Sequence, residues 1–387
     1  MSELLIIATH AIQYQVPLFQ YLSKECGADI HVAFLEEPAT SKPYWDIDFN
    51  KEVIWDIPLV SGYHWSVVPS GNLQFRLHSF AELHRKLGKP PIMLTSWGTS
   101  FHWLVWTWAV VSKIPVFLSA ETNQQSYLMT PKPILRRYWL KFLIRHTQGL
   151  LYIGTRNRDF YSWMGAEKKR FFSYPYSIDN ERFYSNQKKF LATKKNDLLL
   201  LGLSPQLPTI LFCGKLISKK RPDLLLKSIH NSNLNGKVNA LFVGDGILRP
   251  VLEKIVIDLQ LKNVAFTGFF NQMEMPKAYA LGDILCLLSD QPSETWGLAV
   301  NEAQACGRPV IVSDVCGCVP DLVENKNTGW IVKSGSLSDT SQILSDAYNN
   351  SQFWSKIGLQ GQSIIEGHTF QKMAIGIQTA LAVCHKD

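Results

Sequence analysis

Four cations crowd a short stretch of this chain: Lys215, then Lys219-Lys220-Arg221. They follow the apolar run 209–213, which reads as a strand, and precede a helix beginning near Asp223. Cations fixed at a strand's C-terminal end, in a partly dry cleft, stabilise negative charge that develops on a leaving group such as a diphosphate. Lys215 and Lys220 are the candidates for that work. The plainer reading is a solvated basic loop.

A second cluster runs Pro292-Ser293-Glu294-Thr295-Trp296-Gly297-Leu298 and continues to Glu302, with Gly307 and Pro309 closing a helix that starts near Leu298. Backbone amides at a helix N-terminus, together with the macrodipole, form an anion site. Gly297 would let a ligand approach the backbone closely. Glu294 falls before the helix and Glu302 about one turn inside it, so the pair could accept hydrogen bonds from hydroxyls, Glu294 from a sugar and Glu302 from a ribose. Alternatively, Glu302 is an ordinary surface helix residue and Glu294 a partner of the helix dipole.

These clusters need a scaffold that sets loops at the ends of parallel strands. Apolar β-branched runs alternate with amphipathic runs from the first residues, the pattern of strands joined by crossover helices. Strands are expected at 4–8, 30–35, 91–95, 115–119 and 149–153, and again at 209–213, 239–243, 263–267, 284–288 and 309–313. Helices are expected near 16–26, 72–87, 101–112 and 131–146. The 387 residues exceed what one core usually serves. The sequence therefore divides into a first α/β domain over 1–185, a lysine-rich linker over 186–208, a second α/β domain over 209–368 and a final helix over 369–387 that crosses back to the first domain. Doubly wound domains bind ligands outside the C-terminal ends of their strands, so the site is expected in a cleft between the two.

Composition is that of a globular protein, 46% hydrophobic and 18% charged, with a net charge of +7 that favours anionic partners without choosing among them. Seven scattered cysteines read as reduced, buried thiols, and Cys316 with Cys318 lacks the second pair that a zinc site requires. Met1-Ser2-Glu3 leads directly into an apolar strand, without the leader of a signal peptide. The Trp-rich stretch 101–111 is too short to span a bilayer. A cytoplasmic protein without a transmembrane helix is expected.

From Leu211 to Val332 the chain resembles the donor half of glycosyltransferase family 4, which has the GT-B fold of two Rossmann-like domains facing across a cleft. The resemblance rests on Gly214-Lys215-Leu216 with Lys220, Val243-Gly244-Asp245-Gly246, Phe266-Thr267-Gly268-Phe269, the Glu294 and Glu302 pair, and Arg308-Pro309-Val310-Ile311 with Gly329-Trp330. The first half is similar to a surface-polysaccharide branch of that family through the stretch from Thr9 to Leu18 and through Ser177-Ile178-Asp179-Asn180-Glu181-Arg182-Phe183.

The resemblance implies transfer of a sugar from a nucleoside-diphosphate sugar, UDP- or GDP-linked, to a glycan or lipid-linked glycan acceptor. It further implies retention of anomeric configuration, no divalent metal and no cofactor beyond the nucleotide-sugar co-substrate. Catalytic positions would be Lys215, Lys220, Glu294 and Glu121. The donor would lie on Gly214, Gly244, Gly246, Trp296, Gly297, Leu298 and Glu302, and the acceptor side on His10, Gln13 and Tyr14.

This chain departs from the family pattern in several places. Lys215 stands where many relatives carry arginine, which keeps the charge and loses the bidentate fork. Ser119-Ala120-Glu121-Thr122-Asn123 replaces a segment that carries a histidine in many relatives; Glu121 is either a contact to the reacting groups or a helix cap. Ile12-Gln13-Tyr14-Gln15 replaces a glycine-rich loop. Asp46-Ile47-Asp48 has the letters of a metal motif in the wrong context, and Gly244-Asp245-Gly246 lacks the third glycine of a dinucleotide fingerprint. His10 and His102 each read as either a base or a structural histidine, His10 being the better candidate base.

Residues 131–146 combine Arg136, Arg137, Lys141 and Arg145 with Leu135, Trp139, Leu140, Phe142 and Leu143. This is either a peripheral contact to an anionic membrane or a packed helix with a solvated basic edge. No nucleic-acid partner is expected. Rival readings on the same fold are a nucleotide-sugar epimerase, a sugar phosphorylase, and an inactive sugar-binding or scaffold protein.

Overall fold

A computed structural model describes residues 3–38, 44–46, 51–129 and 133–384. Asp48, Pro131, Lys132 and the last three residues, which figure in the sequence reading, lie outside the described residues. The chain divides into two units, one of residues 1–42, 57–177 and 368–387, the other of residues 43–56 and 178–367.

The first unit is built on strands β1 (Leu4–Ala8) and β2 (Ile30–Phe34). Strands β3 (Tyr44–Asp46) and β4 (Lys51–Val53) form an antiparallel pair in the segment assigned to the other unit. The first unit continues with β5 (His64–Val67), β6 (Ile92–Leu94), β7 (Val116–Leu118), β8 (Gly149–Tyr152) and β9 (Phe171–Ser173). Its seven strands are all parallel in the order β5-β2-β1-β6-β7-β8-β9. Every residue of β1, β6 and β7 is buried, because a parallel sheet covered by helices on both faces hides both sides of its central strands. That is why these strands read as continuous apolar runs.

Side-chain caps start several helices. Asn72 accepts from the Phe75 amide, Thr99 from the His102 amide, and Asn123 from the Ser126 amide. The final helix, Phe370–Cys384, packs on β8, β9 and the helix Val16–Lys24 of this same unit. Met373, Ala374, Ile377 and Ala380 form its buried stripe.

The second unit holds β10 (Thr209–Cys213), β11 (Asn239–Val243), β12 (Val264–Gly268), β13 (Ile284–Leu287), β14 (Val310–Ser313) and β15 (Gly329–Val332). They are parallel in the order β12-β11-β10-β13-β14-β15. Phe212, Phe242 and Phe266 are register partners on three adjacent strands, their rings stacked at 5.5 and 4.9 Å. The order reverses direction between β10 and β13, and ligands of open α/β sheets sit beyond the strand ends at such a point.

Residues 186–208, read as a linker, belong to the second unit and are largely helical, in Asn180–Leu191 and Lys194–Leu200. The lysines that suggested a hinge are surface partners. Lys194 pairs with Asp283 at 2.5 Å, while Phe183, Gln187 and Leu198 are buried.

Candidate functional site

The loops that leave β10 and β13, the two strands flanking the reversal, carry the two clusters. Gly214, Lys215 and Leu216 follow β10, and a short 3-10 turn, Ser218–Lys220, precedes the helix Pro222–Asn231. The end of β10 is laced to its neighbour. The Gly214 amide donates to the Val243 carbonyl at 2.9 Å and the Leu216 amide to the Asp245 carbonyl at 2.9 Å. Gly244 lies so close beneath this loop that a Cβ there would stand 2.0 Å from the Gly214 carbonyl oxygen. Its φ of 135° is also glycine territory. Gly244 therefore sets the height of the Lys215 loop, and Gly246 follows it, buried.

Arg221 ties the two loops together. Its guanidinium bonds Asp223 at 3.0 Å and Asp290, beyond β13, at 2.9 Å, and the Asp290 amide donates to the Lys219 carbonyl at 3.0 Å. With the loops clasped, Lys220 Nζ lies 2.5 Å from Glu294 Oε2, which also accepts a 3.0 Å bond from Ser289 Oγ. Burial alone would push the Glu294 carboxyl up. The charge and hydrogen bond of Lys220, with Lys219 and Ser289, outweigh it and hold the carboxyl below its ordinary value. Lys215 Nζ meets Asp46, at 3.1 Å from Oδ1 and 3.2 Å from Oδ2.

The helix Leu298–Ala305 begins at Gly297, whose φ is 106°. The loop before it lies across the segment 316–318. The Gly317 amide donates to the Glu294 carbonyl and the Cys318 amide to the Trp296 carbonyl, each at 3.0 Å. Cys316 and Cys318, buried and not joined in a disulfide, flank that crossing.

Trp296 is buried, and its indole N–H donates to Asn301 at 2.8 Å, so the ring serves the core of the loop. Glu302 is also buried, at 2% exposure, which rules out the surface-residue reading. It accepts a 2.5 Å bond from the Tyr279 hydroxyl, and its charge helps raise the neighbouring Cys213 thiol, which burial already pushes up. Glu302, Tyr279 and Cys213 thus form a polar cluster behind Gly214, and Leu298 lies half-buried at the helix start.

In the first unit, Glu121 follows β7 and accepts a 2.6 Å bond from the Tyr176 hydroxyl. The cap of the helix Gln124–Leu128 is Asn123, which removes the capping alternative for Glu121. Tyr14, Ser119, Glu121, Tyr174 and Tyr176 line a small cavity beyond the strand ends. Burial raises the Tyr174 and Tyr176 hydroxyls, and the Glu121 charge raises them further. His10 is exposed beyond β1, and Gln13 is half-buried. His102 is wholly buried. Its Nδ1 meets Thr99 Oγ1 at 2.8 Å, its Nε2 finds no partner among the described residues, and burial lowers it to about 4.

Asp290, Ser289 and Tyr279 escape a reading by motif, and so do the roles of Arg221 and Asp46, although the one stands in the cation cluster and the other in the discounted Asp-x-Asp. Each is defined by what it meets in space, and only the placement of Ser289 and Asp290 directly after an apolar run could have drawn attention to two of them.

Two Rossmann-like units with these strand orders make this a GT-B fold, as the solved structures agree. HepE of Anabaena, crystallised in complex with UDP, matches over 99% of this chain and 100% of its own, with a TM-score of 0.75 and 14% identity. Sucrose-phosphate synthase of Thermosynechococcus elongatus matches over 100% of both chains, with a TM-score of 0.77 and 16% identity. Residues 201–362 match the family model of the glycosyl transferases group 1.

Curated relatives include the sulfoquinovosyl transferase of Arabidopsis thaliana, 31% identical over 42% of this chain and 30% of its own length. The D-inositol 3-phosphate glycosyltransferase of Nocardia farcinica is 24% identical over 64% of this chain and 55% of its own length. The matched stretches thus span 30% and 55% of the length of these two relatives.

Proposed function

We propose that this chain is a retaining glycosyltransferase that moves a sugar from a nucleoside-diphosphate sugar to a hydroxyl of a glycan or lipid-linked glycan, without a divalent metal. The observation that carries the reading is the clasp at the strand reversal of the second unit. Lys220 and Glu294 sit 2.5 Å apart beside the start of the helix at Gly297, with Lys215 on the same loop.

In the reaction the bond from the anomeric carbon to the diphosphate oxygen breaks, and its electron pair leaves with the diphosphate. Lys215, Lys220 and the helix-start amides stabilise that charge. The acceptor oxygen bonds the anomeric carbon, and its proton passes to the departing diphosphate. Glu294, kept ionised by Lys220, accepts hydroxyls of the donor sugar. Glu302 supports the donor pocket from beneath Gly214. Glu121 is the acceptor-side carboxylate, with Tyr14 lining the same cavity, and His10 and Gln13 are the further acceptor-side residues of the first unit.

UDP is the favoured nucleotide because the HepE structures of the same fold hold UDP and UDP-glucose. The reading is tested by following the thermal midpoint of the protein with UDP, GDP and ADP, since a ligand of the native state raises it. Labelled donor incubated with membrane extract then reports transfer. A rise with UDP or GDP and labelled glycan product support the proposal. Indifference to every nucleotide overturns it, and a rise without transfer leaves a sugar-nucleotide-binding protein in its place.

A further inference from the structure

We infer that the helix Ile134–His146 docks this protein on a bilayer containing anionic phospholipid. This goes beyond the donor chemistry and stands on a surface that the reaction does not use. One face of the helix, Leu140, Leu143 and Ile144, is buried in the core of the first unit. The other face carries Ile134, Leu135, Tyr138, Trp139 and Phe142, all exposed. Leu135 is 78% exposed, Ile134 67% and Tyr138 65%. Their spacing of i, i+1, i+4, i+5 and i+8 makes one continuous stripe. Trp139 and Phe142 stack with centroids 4.9 Å apart, so the aromatic part of the stripe is a single plate. Leu128 and Met129, at the end of the preceding helix, are exposed as well.

The charges on this segment have one sign. Arg136, Arg137, Lys141 and Arg145 flank the stripe, and no acidic residue occurs between Glu121 and Asp159. Arg136 and Arg137 lie over Trp103 and Trp163, at 5.2 and 4.6 Å from the ring centroids, which holds both guanidinium groups in place beside the apolar face.

This composition selects the partner. A second copy of the chain would set cation against cation across the interface, which opposes association. A polyanion such as nucleic acid answers the charges and leaves the apolar stripe in water. A bilayer interface answers both, since leucine and isoleucine enter the acyl boundary, Trp and Tyr sit at headgroup level, and Lys and Arg meet anionic headgroups. Among the described residues no helix is long and apolar enough to cross a membrane, so the contact would lie in the plane of the interface.

The test uses the full chain with vesicles of two parts phosphatidylcholine to one part phosphatidylglycerol, against phosphatidylcholine alone. Co-sedimentation should favour the anionic vesicles by about tenfold or more and weaken as salt rises. Leu135→Glu with Trp139→Glu, both at exposed positions, should abolish it, whereas Arg136→Glu with Arg137→Glu should erase the preference for anionic lipid. Nucleotide-induced stabilisation, unchanged in both variants, shows that the protein is folded and separates this outcome from failure of the donor site. Wild-type protein that stays in the supernatant, sediments equally with both vesicles, or behaves like the glutamate variants overturns the inference. So does a dimer in solution that the Leu135 and Trp139 changes dissociate, which would assign the face to a second copy.

Discussion

Lys215 and Asp46, 169 residues apart in sequence, form an ion pair at 3.1 Å in which the carboxylate occupies the ammonium that the proposed reaction turns toward a diphosphate. A bound diphosphate must therefore compete with Asp46. Asp46→Asn should tighten binding of UDP or GDP by about two- to fivefold, the range of a partly exposed pair worth up to about 1 kcal/mol. Isothermal titration measures it, and unchanged or weaker binding would show that Asp46 instead orients Lys215 for the ligand.

Lys220→Ala should lower turnover by about a hundredfold or more, as expected for loss of a fixed group that stabilises transition-state charge. The acid limb should move too. In the wild type the Glu294 carboxyl lies below its ordinary value, so the ionised form persists at pH below the usual carboxylate range and is lost only as pH falls through the depressed value. Without Lys220 burial dominates and the carboxyl shifts upward. A pH profile of sugar transfer should show its acid loss at higher pH in the variant, and an unmoved limb would remove Lys220 as the cause.

Gly244→Ala should disrupt the donor loop from a position that carries no functional side chain. Its Cβ would stand 2.0 Å from a backbone oxygen, so the Gly214 segment must shift. We expect a lowered thermal midpoint and at least tenfold weaker nucleotide binding, on the order of 1.4 kcal/mol. Normal binding in a folded variant would show that the loop height is adjustable.

Glu121→Gln should leave nucleotide affinity unchanged while lowering transfer, because Glu121 belongs to the first unit and the proposed nucleotide site to the second. Tyr176→Phe, which removes the 2.6 Å bond to that carboxylate, should give a smaller effect in the same direction. Equal loss of nucleotide binding in either variant would place Glu121 in the donor site.

His102 supplies an acid lability to the first unit. Burial holds its imidazole at about 4 against an ordinary value of 6.5, so the unfolded chain binds a proton between those values that the folded chain does not. Stability therefore falls as pH drops from 6.5 toward 4, by up to about 3 kcal/mol over the 2.5 units. Denaturation curves of wild type and His102→Gln should converge toward low pH, and parallel curves would mean that another group sets the slope.

Much of the fold was legible because parallel strands buried on both faces leave unbroken apolar runs, as in β1, β10 and β11. Besides the pair at 44–46 and 51–53, three strands of the parallel sheets escaped. His64–Val67 is a half-exposed edge strand, Phe171–Ser173 is only three residues long, and Gly329–Val332 opens on glycine. The helices at Asn180–Leu191 and Lys194–Leu200 were hidden by lysine, whose long stems sit at the edge of a buried stripe. At the site, Lys220 and Glu294 could be paired from their loops, since both follow strands that flank the reversal. Asp46 could not. Its two-stranded segment interrupts the first unit, and nothing in its local sequence says which lysine it meets.

The final helix and the segment 43–56 impose an order on synthesis. The first unit contains residues 368–387, and where Gly376 meets β9 a Cβ would stand 2.0 Å from the Ser173 carbonyl oxygen. A nascent chain therefore cannot complete the unit it begins with until its last helix has left the ribosome, after the whole second unit. The second unit has all its residues earlier, since 43–56 and 178–367 emerge before that helix. The unit made first is thus the one finished last, and a chain cut at residue 368 would present a complete second unit tethered to an unfinished first one.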